Sequence, residues 1–169
     1  MKSARVGCLF AFASLALGQQ GPDTAAQKEA MKKLAFLVGK WEGDASVVTQ
    51  KGPVKVRQTE QVQYKLDGLV LVVEGTGRDP QKGDIVFQAF ATIAYDDAAK
   101  SYRFRSYNDG RYLDTELKVV DGGFEWGYQA GPAKVQFTMK IDSGAWVETG
   151  EVTMGANPPR KTLEMTVRK

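Results

Sequence analysis

Leu34-Ala35-Phe36-Leu37-Val38-Gly39-Lys40-Trp41-Glu42-Gly43 decides the fold, because the hydrophobic period changes inside it. Upstream of Gly39 the pattern is helical. Met31, Leu34, Leu37 and Val38 fall at i, i+3 and i+6/i+7 and form one apolar face. Lys32 and Lys33 fall on the other side, near the negative end of the helix dipole. Thr24-Ala25-Ala26-Gln27 fits a capping box, with threonine at the N-cap and glutamine three residues on. Gly39 suits the C′ position, where a left-handed backbone costs glycine little. From Trp41 onward the period is two. A glycine that ends a helix and a tryptophan that opens a strand fix one corner of a barrel.

The period of two continues to the end of the chain. Strands are predicted at residues 41–49, 54–66, 68–78, 85–95, 101–108, 111–120, 123–130, 133–142, 145–154 and 160–169. Asp67-Gly68, Asp96-Asp97, Asn108-Asp109-Gly110, Asp121-Gly122-Gly123 and Ser143-Gly144 punctuate them, and Asx-Gly pairs suit tight hairpins. No interval is long enough for a crossover helix. The expected fold is therefore mainly β: a single antiparallel up-and-down barrel of about ten strands with one N-terminal helix. Closure removes the sheet edges that an open meander would expose. The rival is an open or sandwiched sheet.

Residues 1–18 read as a leader outside this fold. Lys2 and Arg5 precede a short apolar run, Val6 to Gly18, too short to span a bilayer as a helix. Ala16 and Gly18 supply the small residues for cleavage near Gly18/Gln19. The chain is expected to be exported, to the periplasm or beyond, with residues 19–169 as one domain. Lys2 and Arg5 account for two of the 23 basic residues, which leaves 21 against 20 acids, a net charge of about +1. That balance gives a nucleic-acid partner little electrostatic support. No integral membrane segment is expected in the mature chain, and its oligomeric state is open.

Cys8 is the only cysteine and histidine is absent. The mature chain thus has neither thiol nor imidazole. Disulfides, thiolate nucleophiles and Cys/His zinc sites are excluded, as are Ser-His-Asp catalysis and a histidine-ligated haem. No catalytic residue, metal site or cofactor is expected.

Strand parity assigns the inward faces. Between Val54 and Leu66 the odd positions are all polar and meet water, while the even face carries Val54, Val56, Gln58, Glu60, Val62, Tyr64 and Leu66. The same alternation turns Phe87, Tyr102, Phe104, Ser106, Thr115, Trp126, Tyr128, Phe137, Trp146 and Glu148 inward. The interior is aromatic and aliphatic with five polar interruptions: Gln58, Glu60, Ser106, Thr115 and Glu148. An unpaired polar group in a dry core costs about 1–3 kcal/mol, and a charge costs more. Three readings stay open. These groups orient a guest in a lumen, or they sit at the mouth and reach water, or a bulge reverses the local parity.

The chain resembles the calycin group: lipocalins, fatty-acid-binding proteins and the ten-stranded nitrobindin-like barrels. Gly39-Lys40-Trp41 matches the lipocalin Gly-x-Trp that follows a helical cap. The stretch Leu34 to Gly43 resembles the opening of bacterial exported proteins of domain-of-unknown-function family 1579. The calycin likeness implies that Gly39, Trp41 and Arg168 close the barrel, with the late arginine packed across the tryptophan. The helix pair of fatty-acid-binding proteins is missing; only Lys51-Gly52-Pro53 stands there. The haem of nitrobindin-like barrels does not carry over, since its histidine is absent. Met139, Met154 and Met165 lie on apolar faces and read as core fillers.

The functional expectation is a non-catalytic binding module for a small apolar or amphipathic molecule. Phe87, Tyr102, Phe104, Trp126, Tyr128, Phe137 and Trp146 would line the site, and Gln58, Glu60 and Glu148 would meet a polar end. One alternative is an enzyme with Glu60 and Glu148 as acid and base. Another is an interaction module with a filled barrel, using the outward strip Arg103, Arg105, Tyr107 and Arg111.

Overall fold

The computed structural model describes residues 21–49 and 52–169; the expected leader lies outside the described residues. A helix α1 (Thr24–Met31) runs into a 3₁₀ helix (Lys32–Leu37). Ten strands follow: β1 (Gly39–Thr49), β2 (Gly52–Lys65), β3 (Val70–Arg78), β4 (Ile85–Asp96), β5 (Ser101–Asn108), β6 (Arg111–Val120), β7 (Gly123–Ala130), β8 (Ala133–Asp142), β9 (Ala145–Met154) and β10 (Arg160–Arg168). Each pairs antiparallel with its sequence neighbour, and β1 pairs with β10, so the meander closes into a barrel. The open or sandwiched sheet is ruled out. Among the described residues no helix is long and apolar enough to cross a membrane.

The helix plugs one end. Met31, Leu34 and Leu37 are fully buried. Their spacing of three is the eclipsed period of a 3₁₀ helix, which lets all three point the same way into the barrel. The barrel returns hydrogen bonds to the plug's carbonyls. Tyr64 donates to Met31 O at 2.5 Å, Tyr102 to Ala30 O at 2.7 Å and Trp41 Nε1 to Leu37 O at 2.7 Å. These fill the acceptors that a helix C-terminus leaves open.

Two details of this corner differ from expectation. Asp23, not Thr24, is the N-cap, and its carboxylate accepts from Ala25 N and Ala26 N. The backbone N–H of Asp23 is itself tied to Asp97, at the β4–β5 turn, which draws the cap one residue upstream. Arg168 does not cross Trp41. Val167 points inward and is fully buried, so its neighbour Arg168 faces out and donates to Ser143 O. The cation over the indole is Lys169, with Nζ 4.6 Å from the ring centroid and 3.1 Å from Phe36 O. Gly39, with φ 130°, makes the turn from plug to wall, and a Cβ at this position would touch the Lys169 side chain.

Candidate functional site

Exposure along the inward faces sorts the barrel into levels. Near the plug, Trp41, Val62, Leu71, Ile93, Leu117, Phe124, Met139, Trp146 and Val167 are all buried. Toward the other end, residues of the same inward parity become accessible: Phe87 and Tyr128 are 37% exposed and Val54 is 42% exposed. Ser106, Thr115, Trp126 and Phe137, in mid-strand, are half-buried. A side chain inside a barrel wall reaches solvent only where the lumen, or a gap in the wall, is open. The barrel is thus sealed at the plug like the base of a cup, and its inward faces grow more accessible away from that base.

Glu60, Gln58 and Glu148 lie at the floor of this cup, 8%, 4% and 9% exposed. Gln58 Nε2 donates to Glu60 Oε1 at 2.7 Å, an i, i+2 contact along one face of β2. Both side chains lie against β3 over bare backbone. A Cβ at Gly75 would stand 3.0 Å from Glu60 Oε2, and one at Gly77 3.0 Å from Gln58 Oε1. Glu148 accepts from Trp146 Nε1 at 3.0 Å, and the Trp126 indole is a second, weaker donor.

Burial pushes both carboxyls up to about 7. Desolvation is the main cause in each, opposed by the hydrogen bonds just named; for Glu60 the charge of Glu148 adds to the rise. β10 and β1 separate the two strands, contributing Met165 and Ala45 to the wall between them.

An aromatic wall rises from the floor. Trp126 and Phe137 stack at 4.1 Å with 9° between planes, and Phe104 meets Trp126 at 4.6 Å. Tyr128 continues the stack toward the mouth at 6.4 Å. Gly150 makes room for it, since a Cβ there would fall 2.6 Å from Phe137 Cε1. Beside this wall the barrel is split. β6 and β7 pair only over 117–120 with 123–126, and beyond that Thr115 Oγ1 bridges to Gly127 O at 2.8 Å. A cleft of about 450 Å³ opens there, with Leu117, Trp126, Tyr128 and Val135 among its lining residues.

The expected residues thus separate. Gln58, Glu60, Glu148, Phe104, Ser106, Thr115, Trp126 and Phe137 share the floor and mid-wall, with Phe87 and Tyr128 at the rim. Tyr102 belongs instead to the sealed base, where its hydroxyl serves the plug. Trp146 packs edge-on against Trp41 at 5.8 Å and turns only its N–H toward the floor. Parity reasoning missed Gly75, Gly77 and Gly150; small residues at inward positions opposite large ones were the available signal. On the outer surface, Arg103 and Arg105 both pair with Asp114, so those two members of the cationic strip are engaged. Among the described residues no group of three or more Asp, Glu, His or Cys could hold a metal ion.

No protein-family profile matches the chain, and no curated protein does. The likeness to family 1579 therefore rests on residues 34–43 alone. The crystal structure of Rv2717c from M. tuberculosis is similar, with a TM-score of 0.62 over 83% of this chain and 96% of that one, at 11% identity. At that identity the likeness is one of fold, the closed barrel.

Proposed function

We propose that this chain is an exported, non-catalytic binding protein that holds a small apolar or amphipathic molecule in its cup. The observation that carries this is the gradient of exposure along the inward faces, from a dry base to an open rim. An apolar, aromatic wall over a few polar groups is the usual make-up of a small-molecule site. Phe104, Trp126, Phe137, Tyr128 and Phe87 meet the apolar body; Gln58, Glu60 and Glu148 meet the polar end. Export rests on the leader pattern of residues 1–18.

Acid–base catalysis by the two glutamates is less well supported. It needs two carboxyls whose environments push their protonation apart. Here the same cause, burial, raises both to about 7.

Incubating the purified mature protein with a bacterial lipid extract, followed by native mass spectrometry, tests the binding function. A bound molecule at one per chain is expected, with a change in Trp126 fluorescence. An unliganded mass, together with no displacement of an apolar dye such as Nile red, would refute it.

A further inference from the structure

The floor of the cup has an unusual charge inventory. Two carboxyl groups are buried there, and among the described residues no base pairs with them. The described ion pairs all lie on the surface, and none includes Glu60 or Glu148. Their neighbours on every adjoining strand are uncharged: Trp41 and Gly75 beside Glu60, Met139 and Met165 beside Glu148. Among the described residues, the one charge acting on Glu60 is that of Glu148. The protein donors are neutral and few. Gln58 gives Glu60 one hydrogen bond on Oε1, and Oε2 has no donor among the described residues. An ionised carboxylate buried without a cation costs several kcal/mol, so folds rarely retain two of them together.

An aromatic wall stands above the acids. Trp126, Phe137 and Phe104 form an apolar stack beside the acids, with the Trp126 and Phe137 faces turned on each other. Carboxylates without a cation, set beside an apolar wall, favour one sign of guest. They repel an anion, offer little to a neutral acceptor, and attract a cation that also donates hydrogen bonds.

On the reading of the cup as a binding site, we propose that its guest is an organic cation: a primary or secondary amine whose ammonium group lies between Glu60 and Glu148 and whose flat apolar body lies along Phe104, Trp126 and Phe137. The glycines explain how the acids are kept clear of that body, since Gly75 and Gly77 let Glu60 and Gln58 lie flat on β3. Binding is coupled to protons. With both carboxyls near 7, the empty pair holds a proton at neutral pH, and entry of the ammonium expels it. The balance is RNH₃⁺ plus a singly protonated pair, giving a complex of RNH₃⁺ with two carboxylates and one released H⁺.

The test is calorimetry on the purified mature protein with three probes of matched carbon chain: 3-phenylpropan-1-amine, 3-phenylpropan-1-ol and 3-phenylpropanoate. The amine is expected to bind about tenfold or more tighter than the alcohol, and the acid not at all. Amine affinity should fall about tenfold or more from about pH 8 to about pH 5.5, with proton release seen in buffers of different ionisation heat. Glu148→Gln and Glu60→Gln should each weaken the amine about tenfold and the alcohol by much less. Alcohol or acid binding as tightly as the amine, or an amine unaffected by either substitution, overturns the cation proposal while the binding cup stands. If Nile red and all three probes fail to bind, both fall.

Discussion

The two buried acids make stability run against the usual direction of pH. Both carboxyls move from 4.5 in the unfolded chain to about 7 in the native state. Below 4.5 they are protonated in both states, and their contribution to stability is fully present. As pH rises toward 7 the unfolded chain ionises freely while the folded chain resists, so stability is lost through that window. Between pH 5 and pH 8 one such group costs about 2–3 kcal/mol. A domain of this size loses roughly 2–4 °C of Tm per kcal/mol, which makes the fall roughly 5–10 °C per group.

The window is unusually clean. The chain has no histidine, so apart from the α-amino group nothing else titrates there by default. Glu42, Asp67, Asp79, Asp97 and Asp114 are held below their usual values by hydrogen bonds first and nearby cations second. What they contribute is lost only as pH falls below about 4. Differential scanning calorimetry at half-unit steps from pH 5 to pH 8 measures the effect. Tm should fall steadily in the wild type. In Glu148→Gln the fall should be about halved, with Tm at pH 8 above that of the wild type; glutamine keeps an acceptor for Trp146 Nε1 and cannot ionise. A Tm that is flat or rises across the window would refute the burial argument, because two carboxyls in contact with water show no such slope.

Two further substitutions probe the wall and the plug. Gly150→Ala places a methyl against Phe137, whose ring is already stacked on Trp126, and should cost about 1–3 kcal/mol in urea unfolding through overpacking. Lys169→Gln removes the cation from the Trp41 face and should cost about 0.5–1 kcal/mol with a shift in tryptophan emission, whereas Arg168→Gln, on the outer face, should leave that emission unchanged.

The ten strands were legible because local chemistry specifies them. The Asx-Gly and Ser-Gly turns place residues at positive φ, including Asp67, Asp109, Gly110, Gly122 and Gly144, and each strand between turns keeps its alternation. Seven strands from β4 to β10 lie within a residue or so of expectation at both ends. The same alternation correctly turned Gln58, Glu60 and Glu148 inward. Longer-range effects escaped it. The N-cap moved to Asp23 through a contact with Asp97, 74 residues away. Arg168 was expected at Trp41 through family likeness, although Met165 and Val167 as inward residues already place it outside. Tyr102 had the right face, but its distance from the plug is a tertiary quantity.

The plug and the acids are linked by that geometry. A barrel of ten strands is wide, and side chains alone fill only its helix end, where Met31, Leu34 and Leu37 enter. Just beyond the plug the inward positions turn small: Ala45, Gly75, Gly77, Ala89, Ala91 and Gly150. Large apolar residues there would have extended the core and gained about 25 cal/mol for each Å² buried. The chain instead places glycines opposite a carboxylate and an aromatic ring, and leaves the carboxylates without a cation. Neither choice favours stability alone. Replacing buried ionisable groups with apolar ones is often stabilising, so Glu148→Leu should raise Tm at pH 8 while abolishing amine binding. Gain of stability with loss of binding, in one variant, is the outcome that separates a site from a flaw in the core. A Glu148→Leu variant less stable than the wild type at pH 8 would mean instead that the hydrogen bond from Trp146 holds the floor together.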